Sequence, residues 1–600
     1  DVFNLFVQDA TGTITFDSVA DFEAGLASDI RGNGSFTGDI NDAAAEFRRT
    51  IYTGYVQDEF QATDDLVLTF GLRWDLYSSP DRPIENPIFE QKYGFDNTQA
   101  FNGLNIFQPR FGFNWDAGET WGGETQFRGG IGVFSGGDPT VWFANNFQNF
   151  GGAIGSGSDS SPECAGVMGL FQVTSGGQFT GLPDCITQAQ INQATQNQGT
   201  VNAVDPNFEL PSLLRFNVGF SHFTNFSGGG GFFDDWNIQV DYIRSQRQNA
   251  PDFVNLALTP SGEFAPDGRP ILNAINPLNA MCDAVFLGIG QGFTGSDLTS
   301  SGPCESGGDD EDILLTNVRG KDGYSQTASI ALSKEFEYNL GNSPGSFNFT
   351  FGYAYTESEE VNPSNSSTAS SNFEEVALVT PNMPTLAPSQ YVNNHNITLA
   401  ARFSQEFIEN YPTRFNIFFN AQSGRRYSFV FDEDVDRDGL LGDSDDEARR
   451  LLYVPTGPMD PLIDTTAMSA QDVTDFFAFL SSSGLSKYAG GFAPRNAFKD
   501  PWFKDMDIRI SQDLPGFFGS DRFQVFVDVE NALNLIDDNM NVFRRRESSN
   551  VIEGVEVIDL VPGSLPGAAY ELRDFKDPDL FQTRTNPSVW AVQFGVRYDF

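Results

Sequence analysis

The stretch Ser588-Val-Trp-Ala-Val-Gln-Phe-Gly-Val-Arg-Tyr-Asp-Phe600, at the end of the chain, decides the fold. Apolar residues occupy alternate positions in it, and small, polar or charged residues occupy the positions between them. Because successive side chains of a strand point to opposite faces, this pattern predicts a strand with one apolar and one polar face. The apolar face would pack on a core in a soluble sheet, whereas it would face lipid in a transmembrane barrel.

The same alternation recurs along the chain in paired segments. Leu66–Tyr77 is the clearest, and it runs for about eleven residues, the length that a tilted strand needs to cross a bilayer. With the terminal stretch there are thirteen predicted strands, or fourteen if Val2–Gln8 is the end of another. The other twelve are Arg49–Phe60, Leu66–Tyr77, Phe107–Asp116, Thr125–Ser135, Leu213–Phe223, Trp236–Ser245, Tyr324–Phe336, Ser346–Thr356, Asn393–Gln405, Arg414–Ser423, Lys504–Gln512 and Arg522–Asn531.

The connections between these strands alternate between short and long. The long ones are 78–106, 136–212, 246–323, 357–392, 424–503 and 532–587. Transmembrane barrels have short periplasmic turns and long outer loops. We therefore predict an all-β fold, a transmembrane antiparallel β-barrel that takes up residues 1–600. The long loops are expected to be extracellular and the C-terminus periplasmic, in the outer membrane of a Gram-negative bacterium.

The composition and the motifs of the chain limit the classes of function that it can have. The net charge is −46, with 81 acidic and 35 basic residues, and this charge disfavours nucleic acid as a partner. We find no Ser/His/Asp set, Gly-x-Ser-x-Gly motif or nucleotide-binding loop in a credible context, so the sequence does not predict an enzyme. Strand carboxylates such as Asp75, Asp241 and Asp528 fall on the polar face, where we interpret them as polarity of the lumen wall.

The four cysteines fall into two closely spaced pairs, Cys164 with Cys185 and Cys282 with Cys304, each within one long connection. Local disulfides would each stabilise a loop by about 3 kcal/mol in the chain-entropy model, and they fit an oxidising compartment. Four cysteines allow three pairings, and the sequence alone does not choose between them.

The long connection 424–503 contains an acidic motif with the spacing of a calcium-binding loop. Carboxylates stand at loop positions 1, 3, 5 and 12, a glycine stands at position 6, and calcium prefers six to eight oxygen ligands in such an arrangement. Position 12 is aspartate instead of the usual glutamate, and no flanking helices are evident. The expected ligands of a structural calcium ion are Asp434, Asp436, Asp438, the carbonyl of Leu440, Asp443 and Asp445.

The end of the chain resembles the C-terminal signal of bacterial outer-membrane proteins, which the barrel-assembly machinery reads. The matching residues are Gln593, Gly595, Tyr598 and Phe600. Other stretches resemble TonB-dependent outer-membrane receptors of the Oar-like group. They are Tyr55-Val-Gln-Asp-Glu-Phe60, Phe107-Gln-Pro-Arg-Phe-Gly-Phe113, Arg128-Gly-Gly-Ile-Gly-Val-Phe134, Pro211-Ser-Leu-Leu-Arg-Phe216, His395-Asn-Ile-Thr-Leu399 and Leu452-Tyr-Val-Pro455.

This resemblance implies a 22-strand barrel that is plugged by an N-terminal domain and energised by the TonB complex. Neither the plug nor a TonB box is evident in these residues, so we expect the C-terminal portion of such a barrel. The predicted function is TonB-dependent uptake of an unidentified ligand that the extracellular loops capture. The alternatives are a non-transporting surface protein for binding or adhesion, and an open pore. Lipid and lipopolysaccharide of the outer membrane are expected partners.

Overall fold

Thirteen long strands form one antiparallel sheet in which neighbours in sequence are neighbours in space. The computed structural model describes residues 2–600 except 6, 8, 166–170, 176–177, 229, 300–301, 307–310, 432–434, 436–448, 520, 547–550, 554–556, 561–568, 574 and 576–579. The strands are β1 Thr50–Thr63, β2 Leu66–Ser78, β3 Asn105–Glu119, β4 Gly123–Ser135, β5 Ser212–Thr224, β6 Asn237–Gln248, β7 Gly323–Leu340, β8 Ser343–Glu360, β9 His395–Ile408, β10 Tyr411–Gln422, β11 Phe503–Pro515, β12 Arg522–Glu530 and β13 Ala591–Asp599.

The register of the sheet places the apolar residues of neighbouring strands side by side. Between β7 and β8, for example, Leu332 lies opposite Phe351 and Phe336 lies opposite Phe347, while Thr327 lies opposite Thr356 on the other face. A slip of one residue would turn every side chain of a strand to the wrong face, so the alternation fixes the register. The sheet therefore has one apolar and one polar face throughout, as the sequence predicted. Strands β7 and β8 are longer than predicted, at 18 residues each.

Of the two strand counts that the sequence left open, the one in which Val2–Gln8 supplies a fourteenth strand does not hold. Val2–Asn4 pairs with Ala45–Phe47 in a separate two-stranded sheet. The fourteenth strand of the main sheet is instead the short segment Ala387–Pro388, which pairs with the end of β8. Val2–Gln8 is apolar on both parities and too short to distinguish a membrane strand from a loop strand.

Strands β1 and β13 form the two edges of the sheet. Within the described residues each pairs along one side only, β1 with β2 and β13 with β12. Because thirteen antiparallel strands alternate in direction, the two edge strands run in the same direction. The edges therefore cannot join each other in the antiparallel pattern of the rest of the sheet.

The short turns and the long connections lie at opposite ends of the strands. The long connections and residues 2–49 carry all the helices of the described residues. The α-helices are Val19–Ala24, Pro87–Tyr93, Thr140–Gln148, Asp184–Ala194, Ala369–Glu374, Ala470–Ser482, Ala532–Ile536 and Thr585–Ser588, and the 3-10 helices are Ile40–Ala43, Pro162–Cys164 and Leu485–Tyr488. None of these helices has the length and apolar character needed to cross a bilayer.

The long connections and residues 2–49 also form many short strands. These strands are Val2–Asn4, Thr13–Thr15, Leu26–Ala27, Asp29–Ser35, Ala45–Phe47, Ile154–Ser158, Phe171–Gln172, Thr174–Ser175, Gln178–Phe179, Val201–Val204, Pro251–Asn255, Leu258–Phe264, Pro270–Ala274, Val285–Gly288, Gly292–Thr294, Asp312–Asn317, Ala387–Pro388, Arg426–Val430, Tyr453–Val454, Ile463–Asp464, Gly491–Phe492, Phe498–Lys499, Arg544–Arg545, Val551–Glu553, Val557–Leu560, Tyr570–Leu572 and Gln582–Thr583. We call the long connections, together with residues 2–49, the loop cap.

The helix Ala470–Ser482 begins with a capping box at Ser469. The Ser469 side chain accepts a hydrogen bond from the backbone N–H of Asp472, and the Asp472 carboxylate accepts one from the backbone N–H of Ser469. This capping box satisfies two N–H groups that a helix start leaves without partners. The helix buries Phe476 and Phe479 in a core of the loop cap.

The loop cap has hydrophobic cores of its own. One core joins residues of four different long connections and of the segment 2–49, with Phe47, Phe101, Phe143, Phe253 and Phe373 among its buried side chains. The rings of Phe101 and Phe143 stack at a centroid distance of 4.0 Å. Burial of aromatic side chains gives the largest apolar contribution available to such segments. The long connections therefore hold one another in place.

Phe143→Ala is expected to open the loop cap, because Phe143 is fully buried in the core just described. Removal of a buried phenylalanine costs about 3–5 kcal/mol, which raises the population of the opened cap on the order of a hundredfold or more. Limited proteolysis of the folded protein in detergent would measure this as faster cleavage in the cap. Phe179→Ala, at a position 53% exposed, is the matched control and should leave the rate unchanged. Equal cleavage rates for the two variants would contradict a shared core.

Candidate functional site

A trough crosses the polar face of five consecutive strands, β8 to β12. It has a volume of about 430 Å³. Ten of its lining residues belong to the polar face of the sheet, and they are Asn348, Thr350, Ala400, Arg402, Asn416, Phe418, Asp507, Arg509, Asp528 and Glu530. A trough that spans five strands requires the sheet to curve towards its polar face there. Two arginines and three carboxylates converge in it, so it offers both signs of charge to a ligand.

A second groove of about 580 Å³ lies across β1 to β5, and it is the larger of the two. Its lining comes mainly from the apolar face and includes Phe70, Phe111 and Ile131. Apolar surface without convergent polar groups gives little basis for specific recognition. We therefore take the trough on the polar face as the candidate site, although the groove is larger.

Arginine–carboxylate pairs line the polar face. Each of the three carboxylates singled out in the sequence is paired, Asp75 with Arg73 at 3.0 Å, Asp241 with Arg128 at 2.7 Å and Asp528 with Arg509 at 3.2 Å. The Arg509 guanidinium also lies 4.1 Å from the ring centroid of Phe526. Each ion pair restrains its two side chains on the polar face. The part of the charge that remains exposed is available to a solute.

Three long connections meet in a buried polar cluster above β8, which we call the junction cluster. It consists of the buried residues Asp252, Glu360, Asn362 and Arg495, together with the partly exposed Arg247. Nη2 of Arg495 donates to the backbone carbonyls of Glu360 and Val361 at 2.7 Å and of Thr385 at 3.0 Å. Burial lowers the pKa of Arg495 to about 10, so the side chain stays charged at neutral pH.

The second half of the junction cluster holds the carboxylates. Glu360 pairs with Arg247 at 2.7 Å, and Asn362 donates to Asp252 at 3.4 Å. Burial raises the pKa of Asp252 to about 6, against the opposing effects of its hydrogen bonds and of the nearby charges of Arg495 and Arg319. The junction cluster thus joins the connections 249–322, 361–394 and 423–502 through charge-assisted contacts. The contacts of Asp252 vary in strength with pH.

A second buried ion pair joins the first long connection to the third. Lys92 lies 3.1 Å from the carboxylate of Asp312, and the hydroxyl of Tyr93 donates to the same carboxylate at 2.6 Å. Both charged side chains are almost completely buried. Removal of one partner would leave an uncompensated charge in the cap, which is strongly destabilising. No pattern in the sequence pointed to this pair, because its members lie 220 positions apart.

The structure contains disulfides between Cys164 and Cys185 and between Cys282 and Cys304. Their Cα atoms are 5.1 Å and 4.7 Å apart. Cys164 packs in a small core beside Ile30, and Cys304 packs in another beside Phe293. Each bridge therefore supports a hydrophobic core of the loop cap.

The predicted calcium ligands lie outside the described residues. This applies to all six, which are Asp434, Asp436, Asp438, Leu440, Asp443 and Asp445. Val435, in the middle of the motif, is described and is completely buried in a core of the cap. Among the described residues no group of three or more His, Cys, Asp or Glu side chains has the arrangement of a metal site.

The four residues of the predicted assembly signal lie on β13, at an edge of the sheet, or directly after it. Gln593 lies opposite Asp528, and Gly595 lies opposite Phe526. The ring of Phe526 covers the space that a Cβ atom at position 595 would need, so glycine allows this close contact. Tyr598 packs on Phe523 with ring centroids 4.6 Å apart and donates to Asp521, and Phe600 is fully exposed.

An antiparallel sheet of this size, with an apolar face, a charged polar face and connections segregated by length, defines a membrane β-barrel protein. The family model of the outer membrane beta barrel domain matches residues 2–537, so the chain belongs to that family. No curated protein matches the sequence.

Several solved structures are similar to the chain. They include the outer membrane transporter YddB from Escherichia coli, with 11% identity, a TM-score of 0.38 and coverage of 91% of this chain and 45% of YddB. The siderophore receptor PirA from Acinetobacter baumannii has 10% identity and a TM-score of 0.34, with coverage of 84% and 46%. A mutant of the ferric enterobactin receptor PfeA from Pseudomonas aeruginosa has 9% identity and a TM-score of 0.27, with coverage of 95% and 58%. The chain thus spans about half the length of these proteins.

Asp252→Asn is expected to stabilise the loop cap at pH 7 and to leave it unchanged at pH 4. A carboxyl whose pKa rises from 3.8 to about 6 on folding contributes stability that is present below pH 4 and is lost as the pH rises through 6. The loss amounts to about 3 kcal/mol, and asparagine, which resembles the protonated acid, avoids it. Hydrogen exchange in the strand Pro251–Asn255, measured at both pH values, would show the difference.

Asp283→Asn is the matched control in the same connection. Hydrogen bonds from the backbone N–H and side chain of Ser296 lower the pKa of Asp283, so its neutral replacement should not increase protection at pH 7. Equal protection of wild type and Asp252→Asn at pH 7 would show that the buried carboxylate costs the cap nothing.

Proposed function

We propose that the chain is part of a TonB-dependent outer-membrane receptor, in which the loop cap captures a ligand and the trough lies on its inward path. The observation that carries this proposal is the position of the trough. Convergent charges of both signs lie on the polar face below an ordered cap, so a ligand released from the cap would meet them next. Charged rings and walls of this kind select and pass solutes in pores.

Within the described residues, the edge strands β1 and β13 each pair on one side only, which supports the proposal that this sheet is part of a larger barrel. Since β1 and β13 run in the same direction, an antiparallel barrel that includes them needs an odd number of further strands between them. A barrel of 22 strands, the size used by outer-membrane transporters that carry a plug, would require nine. These strands and the plug would come from outside residues 1–600, and the plug would provide the contact with the TonB complex.

The proposed orientation follows from the connections. The loop cap would face the extracellular medium, and the short turns and the C-terminus would face the periplasm. In that orientation Gln593, Gly595, Tyr598 and Phe600 would be presented to the barrel-assembly machinery from the periplasmic side. The apolar face of the sheet would contact the lipid of the outer membrane.

A surface protein that binds a partner without transport is the second candidate. It is favoured by the loop cap, whose separate cores, two disulfides and buried ion pairs give a stable surface beyond what a channel mouth needs. An open pore is the third, and it would leave the trough continuously accessible to ions.

Uptake by intact cells separates these functions. A deletion strain carrying the full-length gene should accumulate a labelled ligand from a panel of iron chelates, peptides and glycans, and collapse of the proton-motive force should stop accumulation. Arg402→Glu, which reverses a charge in the trough, should slow uptake on the order of tenfold and leave binding to the cell surface unchanged. Binding without uptake for the whole panel would favour the surface protein. Large steady ion conductance of the purified protein in planar bilayers would favour the pore.

We also propose a structural calcium ion in the acidic motif, with the six ligands predicted above. Calcium should protect the connection 423–502 from proteolysis, because a bound ion removes conformational freedom from the loop. Asp436→Ala should abolish this protection, and Asp464→Ala, in the same connection and outside the motif, should retain it. Equal protection of both variants in calcium and in chelator would rule out the site.

A further inference from the structure

A group of aromatic and basic side chains lies where the apolar face of the sheet meets the loop cap: some of its members are on the main strands and the others are in the connection 423–502. We call it the rim patch. It consists of Tyr353, Tyr355, His395, Trp502, Arg426, Lys499 and Lys504. In a chain with a net charge of −46 this patch is locally rich in cations, with three basic side chains near one carboxylate, Glu357, which follows Tyr355 on the same face of β8.

The aromatic half of the rim patch spans four strands. The His395 ring stacks on Trp502 at a centroid distance of 5.6 Å and contacts Tyr355 at 5.2 Å, and its Nδ1 lies 2.9 Å from the hydroxyl of Tyr353. His395 and Trp502 meet beyond the end of β10, where the hydroxyl of Ser423 accepts a hydrogen bond from the backbone N–H of His395; Ala421 lies one pair further along the same face, between Ile397 and Lys504. Trp502 remains 45% exposed, so a flat aromatic surface is left uncovered.

The basic half contains a pair of like charges. Arg426 and Lys499 lie directly opposite each other on two paired strands of the cap, and like charges in this position repel. Partial desolvation and the charge of Arg426 lower the pKa of Lys499. Lys504 is exposed, pairs with Ala421 on the apolar face of β11, and comes two residues after Trp502, which directly precedes that strand.

Nearby carboxylates do not neutralise these cations. Among the described residues, no carboxylate lies within ion-pair distance of Arg426. Its guanidinium donates instead to the side-chain oxygen of Asn394 at 3.0 Å and to the backbone carbonyl of Asn496 at 3.2 Å. Glu357 attracts Arg426 from further away and accepts a hydrogen bond from Gln326 at 2.8 Å. Asp500 is paired with Arg546 at 2.7 Å. An anion bound between Arg426 and Lys499 would relieve their repulsion.

We propose that the rim patch binds the headgroup of a phosphorylated glycolipid in the outer leaflet of the membrane. A phosphate group would lie between Arg426 and Lys499, where a planar guanidinium and an ammonium provide charge-assisted hydrogen bonds. A sugar ring would lie on Trp502, whose aromatic face suits the apolar face of a saccharide. The acyl chains would follow the apolar face of β9 and β10 below. The choice of the outer leaflet rests on the orientation proposed above, and the site itself does not depend on transport.

The choice of a lipid over a soluble phosphosugar rests on position. Aromatic side chains at strand ends lie at the level of the lipid headgroups in membrane barrels, and the rim patch continues directly into the apolar face. A soluble phosphosugar has no acyl chains to contact the apolar face of the sheet, whereas a glycolipid would contact the cations, the rings and the apolar face at once.

Lipid titration of the full-length protein, folded in detergent and followed by native mass spectrometry, tests the proposal. Diphosphoryl lipid A should bind in a saturable manner and tighter than the same lipid A after removal of its phosphates. The double variant Arg426→Gln/Lys499→Gln should lose affinity by about tenfold or more, because two charge-assisted contacts disappear. Lys321→Gln/Lys487→Gln removes two exposed charges elsewhere in the cap and should bind as the wild type does.

Trp502→Ala separates recognition of the sugar from recognition of charge. It should weaken binding of diphosphoryl lipid A severalfold and leave binding of phosphatidylglycerol unchanged. Wild-type affinity in the double variant, equal affinity for phosphatidylglycerol and lipid A, or displacement of lipid A by millimolar inorganic phosphate would each overturn the proposal. Retention of the folded, heat-modifiable form on gels verifies that each variant still has its barrel.

Discussion

Backbone hydrogen bonding in a medium without water is the constraint on which this structure depends. Every N–H and C=O group of a lipid-exposed segment needs a partner within the protein, and an antiparallel sheet provides those partners between adjacent strands. The same sheet sends alternate side chains to opposite faces, so the pairing that satisfies the backbone also separates Phe347 and Phe351 from Thr350 and Asn348. Register, polarity and membrane position follow from one geometric repeat.

This two-residue repeat explains which parts of the fold could be predicted from the sequence. All thirteen long strands were predictable, because a period of two over about ten residues leaves few alternatives. The lengths of the connections alone predicted that the long ones share one end of the strands and the short turns share the other. The short segment Val2–Gln8 was left open because so few residues do not distinguish a loop strand from the end of a membrane strand, and Ala387–Pro388 has no alternating pattern at all.

The loop cap and much of the candidate site could not be predicted in this way. Contacts such as Lys92 with Asp312, or Arg495 with the carbonyls of three other residues, depend on how separate connections approach one another in space. No local pattern encodes such distances. The charges in the trough were partly accessible, since Asp528 could be assigned to the polar face, but its pairing with Arg509 and the curvature that gathers five strands appear only in three dimensions.

The core shared by Phe47, Phe101, Phe143, Phe253 and Phe373 has a mechanical consequence. Its members come from segments attached to strands on different parts of the wall, so no single connection can swing aside without uncovering apolar side chains of the others. The four connections that share this core, together with the segment 2–49, are therefore coupled: displacement of one of them exposes apolar surface of the others, and concerted movement costs less than the opening of a single loop.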